Sequence, residues 1–440
     1  MIRILTLLFV FMLGMAPPPG HAAELRIDIT KGGLNPMPIA VPDFVTLSGD
    51  SPSAPTEHGI RIAEVVNADL ERSGLFRPLD PKAFLQDSVG LWKAPDFRNW
   101  RLLSADAVVA GGTTLAGDKL SVDFVLYDVN QGGKLGESKR ISAPTKDWRH
   151  LAHRVADEIY SRLTGEGGYF TSRIGFVAQK NIDARRFRKW LSVMDQDGAN
   201  RVDLNPNELL VLTPRFSPNG EHLYYLSYET GFPRIFRWGL YERQKAMLTE
   251  FPGLNACPSL SPDGTRMAMT LTKDGNAEIY VKDLRGGGLK RLTESSAIDT
   301  SPSWSPDGNS IVFTSSRGGS PQIYVMDANG GGVKRLSFEG KNNSAPAWSP
   351  RGDNIAYVQG GGGKFRIAVL NPKTGKSRTL TDSWMDESPT WSPNGRVILF
   401  SRQNNSQTKL YTIDLTGHNE RMAPVGDLGG SDPTWSPLIR

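Results

Sequence analysis

At 440 residues, with 38% hydrophobic and 22% charged side chains, the chain has the composition of a folded globular protein and room for two domains. A formal net charge of +5 is too thinly spread over this length to indicate a nucleic-acid binder. The single cysteine, Cys257, excludes an intramolecular disulfide framework, and beyond the N-terminal run no apolar stretch is long enough for a membrane-spanning helix.

Ile4 to Ala16 form an apolar run behind Arg3, Pro17-Pro18-Pro19 ends it, and small residues follow at Gly20, Ala22 and Ala23. This is the pattern of a cleavable secretory signal peptide over 1–23, so the chain is expected to be exported. The new N-terminal segment, 24–37, opens with Glu24 to Gly33, where Leu25, Ile27 and Ile29 alternate with Arg26, Asp28 and Thr30. The alternation predicts a half-buried strand, either docked on its own domain or added to another protein's sheet edge. The residues alone favour docking.

Residues 38–165 read as a small α/β domain. Ile39 to Phe44 form a strand, with Pro42 marking an edge or an early exit. Glu57 to Ser73 carry Ile62, Val66 and Leu70 on one helical face, and Gly74 ends the helix. Ala107 to Thr113 and Lys119 to Val129 form a hairpin across Ala116-Gly117, and Lys146 to Leu163 repeat the helical pattern through Leu151, Val155 and Ile159. Gly165-Glu166-Gly167-Gly168 is a short linker.

From 166 to 440 a repeat takes over. Phe216-Ser217-Pro218-Asn219-Gly220, Leu260-Ser261-Pro262-Asp263-Gly264 and Trp304-Ser305-Pro306-Asp307-Gly308 share one frame with Trp348-Ser349-Pro350-Arg351-Gly352, Trp391-Ser392-Pro393-Asn394-Gly395 and Trp435-Ser436-Pro437. The prolines recur every 44 residues, with one interval of 43. In the best-defined unit, Pro302 to Ser305 is a short strand, Ser305 to Gly308 a turn, Ser310 to Thr314 and Gln322 to Asp327 two further strands, and Lys334 to Ser337 a fourth. Such a sheet cannot bury both faces alone, so its copies must stack, and the period predicts a six-bladed β-propeller with the Ser-Pro strand innermost. Arg173 to Ala178, Trp190 to Asp195 and Arg201 to Leu204 supply three strands of a first blade and no innermost one. The surplus Pro433 to Pro437 is expected to complete that blade and close the ring. The fold class is thus mainly β: a C-terminal six-bladed propeller preceded by a small α/β domain.

The signal peptide, the Pro38-Ile39-Ala40-Val41-Pro42-Asp43-Phe44 strand, the α/β domain and the six Ser-Pro-x-Gly blades, in this order, resemble the TolB family of periplasmic propellers in the Tol-Pal system. The resemblance covers essentially the whole mature chain. It implies a non-enzymatic periplasmic adaptor, monomeric within a multiprotein complex and without cofactor, that supports outer-membrane invagination during cell division and envelope integrity. Its propeller would bind Pal, the peptidoglycan-associated lipoprotein, and so sit at the periphery of the outer membrane. Glu24, Leu25, Arg26, Ile27, Asp28, Ile29, Thr30, Lys31, Gly32 and Gly33 match the family's switch segment, which would reach the periplasmic domain of TolA. That reverses the preference for docking.

Loops preceding the innermost strands gather at one mouth of the channel and vary while the Ser-Pro frame stays fixed, which frees them for binding. The expected Pal contacts are Asn255, Asp299, Thr300, Asn343, Asp386, Glu387 and Asp432. An alternative reads Asp299, Asp386, Glu387 and Asp432 as converging Ca²⁺ ligands of a metal-dependent hydrolase. None of the six histidines lies in these loops, which removes the obvious base. A serine peptidase is excluded by the lack of a Gly-x-Ser-x-Gly elbow. The basic run Asp183 to Trp190 reads as a solvated loop rather than an anion site, and export argues against nucleic acid.

Overall fold

The computed structural model describes residues 25–27, 35–49, 51–181, 187–205, 210–404 and 407–439. The expected signal peptide and the Asp183–Arg186 part of the basic run lie outside them. The N-terminal domain holds strands β1 (Met37–Ala40), β2 (Val45–Ser48) and β3 (Ser51–Ser53), helix α1 (Glu57–Arg72), β4 (Phe76–Pro78), α2 (Ser88–Lys93), α3 (Phe97–Leu102), β5 (Ala107–Ala116), β6 (Lys119–Asp128), β7 (Gly133–Lys134), β8 (Lys139–Pro144) and α4 (Trp148–Thr164). β5 runs through the middle of its sheet, antiparallel to β6 and parallel to β1 and β2.

The strand expected over 39–44 is two strands. Proline lacks a donor for the ladder, and the chain leaves β5 at Val41, passes Pro42, and rejoins it at Val45. The detour presses Phe44 onto the sheet, where a Cβ on Gly111 would lie 2.4 Å from its ring. A Cβ on Gly59 of α1 would lie 2.0 Å from the Phe44 carbonyl oxygen, so α1 lies close over this detour only because residue 59 is glycine. α1 and α4 then cover one face of the sheet through Ile62, Val66, Leu70, Leu151, Val155 and Ile159, all fully buried.

Six four-stranded antiparallel sheets form the propeller. Each blade but the first is built from consecutive strands; the first joins Gly429–Trp435 to Arg173–Asn181, Phe187–Asp195 and Val202–Asp203, so the ring closes as the surplus strand predicted. The Ser-Pro-x-Gly turn explains its own recurrence. Ser305 Oγ accepts the Ser310 amide at 2.9 Å, the Asp307 carboxylate accepts the Ser305 hydroxyl and the Asn309 amide, and Gly308 sits at φ +71°. In the equivalent turn, hydrogen bonds from Ser261 and Thr265 hold the Asp263 carboxyl down to about 2. The tryptophans tie neighbouring blades: Trp304 Nε1 donates to Ser259 O at 3.1 Å and Trp391 Nε1 to Ala347 O at 2.9 Å.

The two domains share one apolar core, in which Tyr160 of α4 meets Phe76, Tyr169 and Phe170, and Tyr169 meets Trp435. A buried polar cluster lies beside it. Asp69 of α1 accepts His153 Nδ1 of α4 at 2.6 Å, Arg72 at 2.8 Å and the propeller's Gln196 Nε2 at 2.8 Å, while Arg149 pairs with Asp197. The glycine-rich linker is pinned as well, because Glu166 holds Arg351 at 2.9 Å and Arg396 at 2.5 Å, both from Ser-Pro turns. The α/β domain therefore sits over the turn ends of the innermost strands. The loops that begin those strands open on the opposite face.

Candidate functional site

Each innermost strand starts at the far mouth with the same irregularity. The ladder slips between Leu212 and Arg215, Ala256 and Ser259, Thr300 and Ser303, Ser344 and Ala347, Glu387 and Thr390, and Ser431 and Thr434. At each slip a non-glycine residue takes a left-handed φ: Thr213 47°, Cys257 53°, Ser301 55°, Ala345 50°, Ser388 54° and Asp432 48°. Each costs about 1–2 kcal/mol, and each is followed by proline. Six bulges kink six strands together and form a collar at the channel entrance. A side chain's place relative to this collar decides whether it serves the fold or the surface.

Two residues before the bulge, Asn255, Asp299, Asn343 and Asp386 are fully buried. Asn255 Nδ2 donates to Phe251 O at 2.8 Å and to Gly253 O at 3.1 Å, and Asn343 Nδ2 donates to Gln322 Oε1 at 2.8 Å and to Glu339 O at 2.6 Å. Asp299 takes Arg317 Nη2 at 2.7 Å, and Asp386 takes Arg402 through Nε at 2.7 Å and Nη2 at 3.0 Å. These four side chains turn inward and tie the entry loop of a blade to its neighbouring turn or strand. The remaining three lie toward the opening. Thr300 is half-buried with its hydroxyl 3.2 Å from Thr270, Glu387 is exposed, and Asp432 accepts the hydroxyls of Ser388 at 3.3 Å and Ser431 at 3.2 Å. Partial enclosure pushes the Glu387 carboxyl up, and the like charge of Asp432 adds to it.

The four acids do not converge as the hydrolase alternative requires, since Asp299 and Asp386 point into arginine pairs away from Glu387 and Asp432. Among the described residues, the imidazole and carboxylates that come within ligand distance of one another are His153, Asp195 and Asp197, at the domain contact. There Arg149 already holds Asp197, and Asn200 Nδ2 bonds Asp195 at 2.6 Å.

Sequence reasoning missed the apolar part of this face. Ile298, Phe338 and Trp384 stand in the loops entering blades four, five and six, 58%, 71% and 60% exposed, and Phe232 stands in a blade-two loop at the same end, 62% exposed. Backbone bonds brace these loops: Ser316 N donates to Ile298 O at 3.1 Å and Phe365 N to Trp384 O at 2.9 Å. Large exposed apolar side chains on a braced, polar-rimmed ring have the make-up common to protein-docking faces. The available signal was a large hydrophobic residue one, two and five positions ahead of Asp299, Asp386 and Asn343; Phe232, in another loop, gave none.

At the other end of the molecule, Leu25, Arg26 and Ile27 are irregular rather than strand. Ile27 N donates to Leu163 O at 2.8 Å at the end of α4, Leu25 and Ile27 pack half-buried on the shared core, and Arg26 is exposed beside Gly165. Glu24 and Asp28 to Gly33 lie outside the described residues.

The sequence pattern of the TolB amino-terminal domain matches residues 25–135, and that of the TolB β-propeller domain matches 160–439. The Tol-Pal system protein TolB of Paramagnetospirillum magneticum is 52% identical over 448 residues, covering 100% of this chain and 98% of that one. The crystal structure of TolB from Acinetobacter baumannii superposes with a TM-score of 0.81 at 32% identity, over 91% of this chain and 97% of that one. A chain of a nidogen–laminin complex, at 13% identity and a TM-score of 0.50 over 61% of this chain and 100% of that one, shares the fold alone.

Proposed function

This chain belongs to the TolB family, and on that premise we propose that it is a non-enzymatic adaptor of the Tol-Pal complex in the periplasm, holding Pal on the propeller mouth and TolA on its N-terminal segment. Through Pal it would reach the periphery of the outer membrane, in support of invagination at division and of envelope integrity. The observation that carries the reading is the ring of Phe232, Ile298, Phe338 and Trp384 around the collar, on the face the α/β domain leaves open. Thr300, Glu387 and Asp432 supply its polar edge. The buried Asn255, Asp299, Asn343 and Asp386 would act through the loops they hold rather than by touching Pal. At the far end Glu24 to Gly33 would form the TolA segment, of which Leu25, Arg26 and Ile27 rest on the end of α4.

Calorimetric titration of the mature chain with a Pal periplasmic domain, and separately with a TolA C-terminal domain, tests both surfaces. A form lacking Glu24 to Gly33 is expected to keep Pal and lose TolA. An intact chain that fails to bind Pal ends the proposal.

A further inference from the structure

The propeller channel contains a cation that the fold does not use. It is a cavity of about 1080 Å³ running from the collar to the Ser-Pro turns. Two residues past the bulges, Arg215, Ser259, Ser303, Ala347 and Thr390 line it at one level. One guanidinium thus stands among hydroxyl and methyl groups, with no carboxylate at its level. Its protein partner is the carbonyl of Pro214, 2.7 Å from Nη1. A guanidinium carries five N–H donors in a rigid fork, so donors beyond the one on Pro214 are left on a side chain that lines the cavity. The nearest acid, Asp432, is at the collar and engaged by Ser388 and Ser431. Enclosure works against the guanidinium charge, and Asp432 only partly opposes that effect.

The surroundings add hydroxyl donors and an apolar floor. The Ser303 hydroxyl oxygen accepts the Trp348 amide at 3.1 Å, which turns its own proton elsewhere. Thr213 Oγ1, on the strand that carries Arg215, is buried without a partner. Toward the turns the walls become Pro262, Pro306, Pro350, Pro393 and Trp391. Cavities of several hundred Å³ with an apolar wall and a few convergent polar groups are the usual form of small-ligand sites, and an arginine fork matches a carboxylate with two parallel bonds.

We propose that the channel binds a small organic carboxylate, its carboxylate on the Arg215 fork and the hydroxyls of Ser259 and Thr390, its carbon skeleton against the proline and tryptophan wall. None of Phe232, Ile298, Phe338, Trp384 or residues 25–27 lines this cavity.

Sodium benzoate is the probe, titrated calorimetrically into the mature chain, with benzyl alcohol and inorganic phosphate as comparisons. One benzoate should bind per chain. Arg215→Ala should weaken it at least tenfold, Arg215→Lys less, and Thr390→Val severalfold, each variant being checked for native circular dichroism. Benzyl alcohol and phosphate should each bind at least tenfold more weakly than benzoate. If Arg215→Ala does not fold, a benzoate-dependent shift of the Ala347 methyl resonance in the wild-type protein, lost in Thr390→Val, serves in its place. Absence of saturable benzoate binding, unchanged affinity in Arg215→Ala, or benzyl alcohol or phosphate binding as tightly as benzoate overturns the proposal.

Discussion

Replacing Trp435 by alanine tests how the ring is held shut. Trp435 ends the innermost strand that, among the described residues, pairs across the chain with a partner from the start of the propeller, along Gly429–Gln179 to Trp435–Ile174. It is 8% exposed, meets Tyr169 edge-on at 5.7 Å, and donates from Nε1 to Ser172 Oγ at 2.7 Å. Truncation of a buried Trp costs about 3–5 kcal/mol, and the lost hydrogen bond, which leaves the buried Ser172 hydroxyl short of a partner, adds about 1 kcal/mol. The sum, roughly 4–6 kcal/mol, is a large part of the ~5–15 kcal/mol that holds a typical native fold. At about 2–4 °C per kcal/mol, the calorimetric midpoint should fall by on the order of 10–20 °C. Trp435→Phe keeps most of the ring and should lose about a third of that. Trp384→Ala, removing an exposed indole, should leave the midpoint unchanged. A Trp435→Ala protein that unfolds within about 0.5 kcal/mol of wild type, the usual range of surface substitutions, would refute the closure argument.

Further outcomes follow from the same contacts. Phe338→Ala and Trp384→Ala should each weaken Pal binding about tenfold or more, as buried aromatic anchors do, and unchanged calorimetric affinity in both would sink the docking face. Asp386→Asn should cost about 2–3 kcal/mol by breaking the charged bonds to Arg402, read by urea denaturation; Arg402 keeps Glu420, which limits the loss. His153 is in a buried setting that opposes its charge, yet Asp69, by charge and hydrogen bond, and then Asp197 outweigh burial and raise its pKa. A raised folded pKa means this stabilisation is complete below the unfolded value of about 6.5 and fades as pH rises through the folded value. The thermal midpoint should therefore fall with rising pH above that point, and His153→Gln should flatten the slope.

What the sequence made legible was whatever a single residue type enforces. The Ser-Pro-x-Gly turn needs a hydroxyl, a fixed φ and a positive φ at set positions, so its period exposed the blade count, and the missing innermost strand of blade one exposed the closure. The short elements α2, α3, β4 and β8 were missed: they are three to six residues long, too short for either periodicity to register. The collar was hidden for a different reason. A residue before proline is expected to be extended, and only the ring as a whole holds Thr213 and its five equivalents in the left-handed region. The polar residues before the collar were read as surface because Asn and Asp before proline suit a loop equally well. Burial turned four of them inward, Asp299 and Asp386 onto arginines 18 and 16 residues further along the chain, and Asn255 and Asn343 onto loop carbonyls and Gln322; the arginines and Gln322 lie beyond any local pattern.

The domain contact constrains how the two proposed surfaces could influence each other. A hinge needs an interface that opens, yet α1 and α4 share a continuous apolar core with blades one and six, reinforced by Asp69, His153 and Asp197 and by Glu166 with its two arginines. Separating such an interface would expose Tyr160, Tyr169 and Phe170 together with unpaired buried charges. The thinner attachment is that of Leu25 to Ile27. Two half-buried aliphatic side chains contribute about 1 kcal/mol each, and the Ile27 amide bond contributes another ~1 kcal/mol. Fixing three residues costs about 3–6 kcal/mol in backbone entropy. These terms nearly cancel, so a shift of one or two kcal/mol at the end of α4 is enough to dock or release the segment. A response to a propeller partner therefore has its easiest route through the rigid body to Leu163 and Gly165, where Ile27 and Arg26 rest, and requires no swing of one domain against the other.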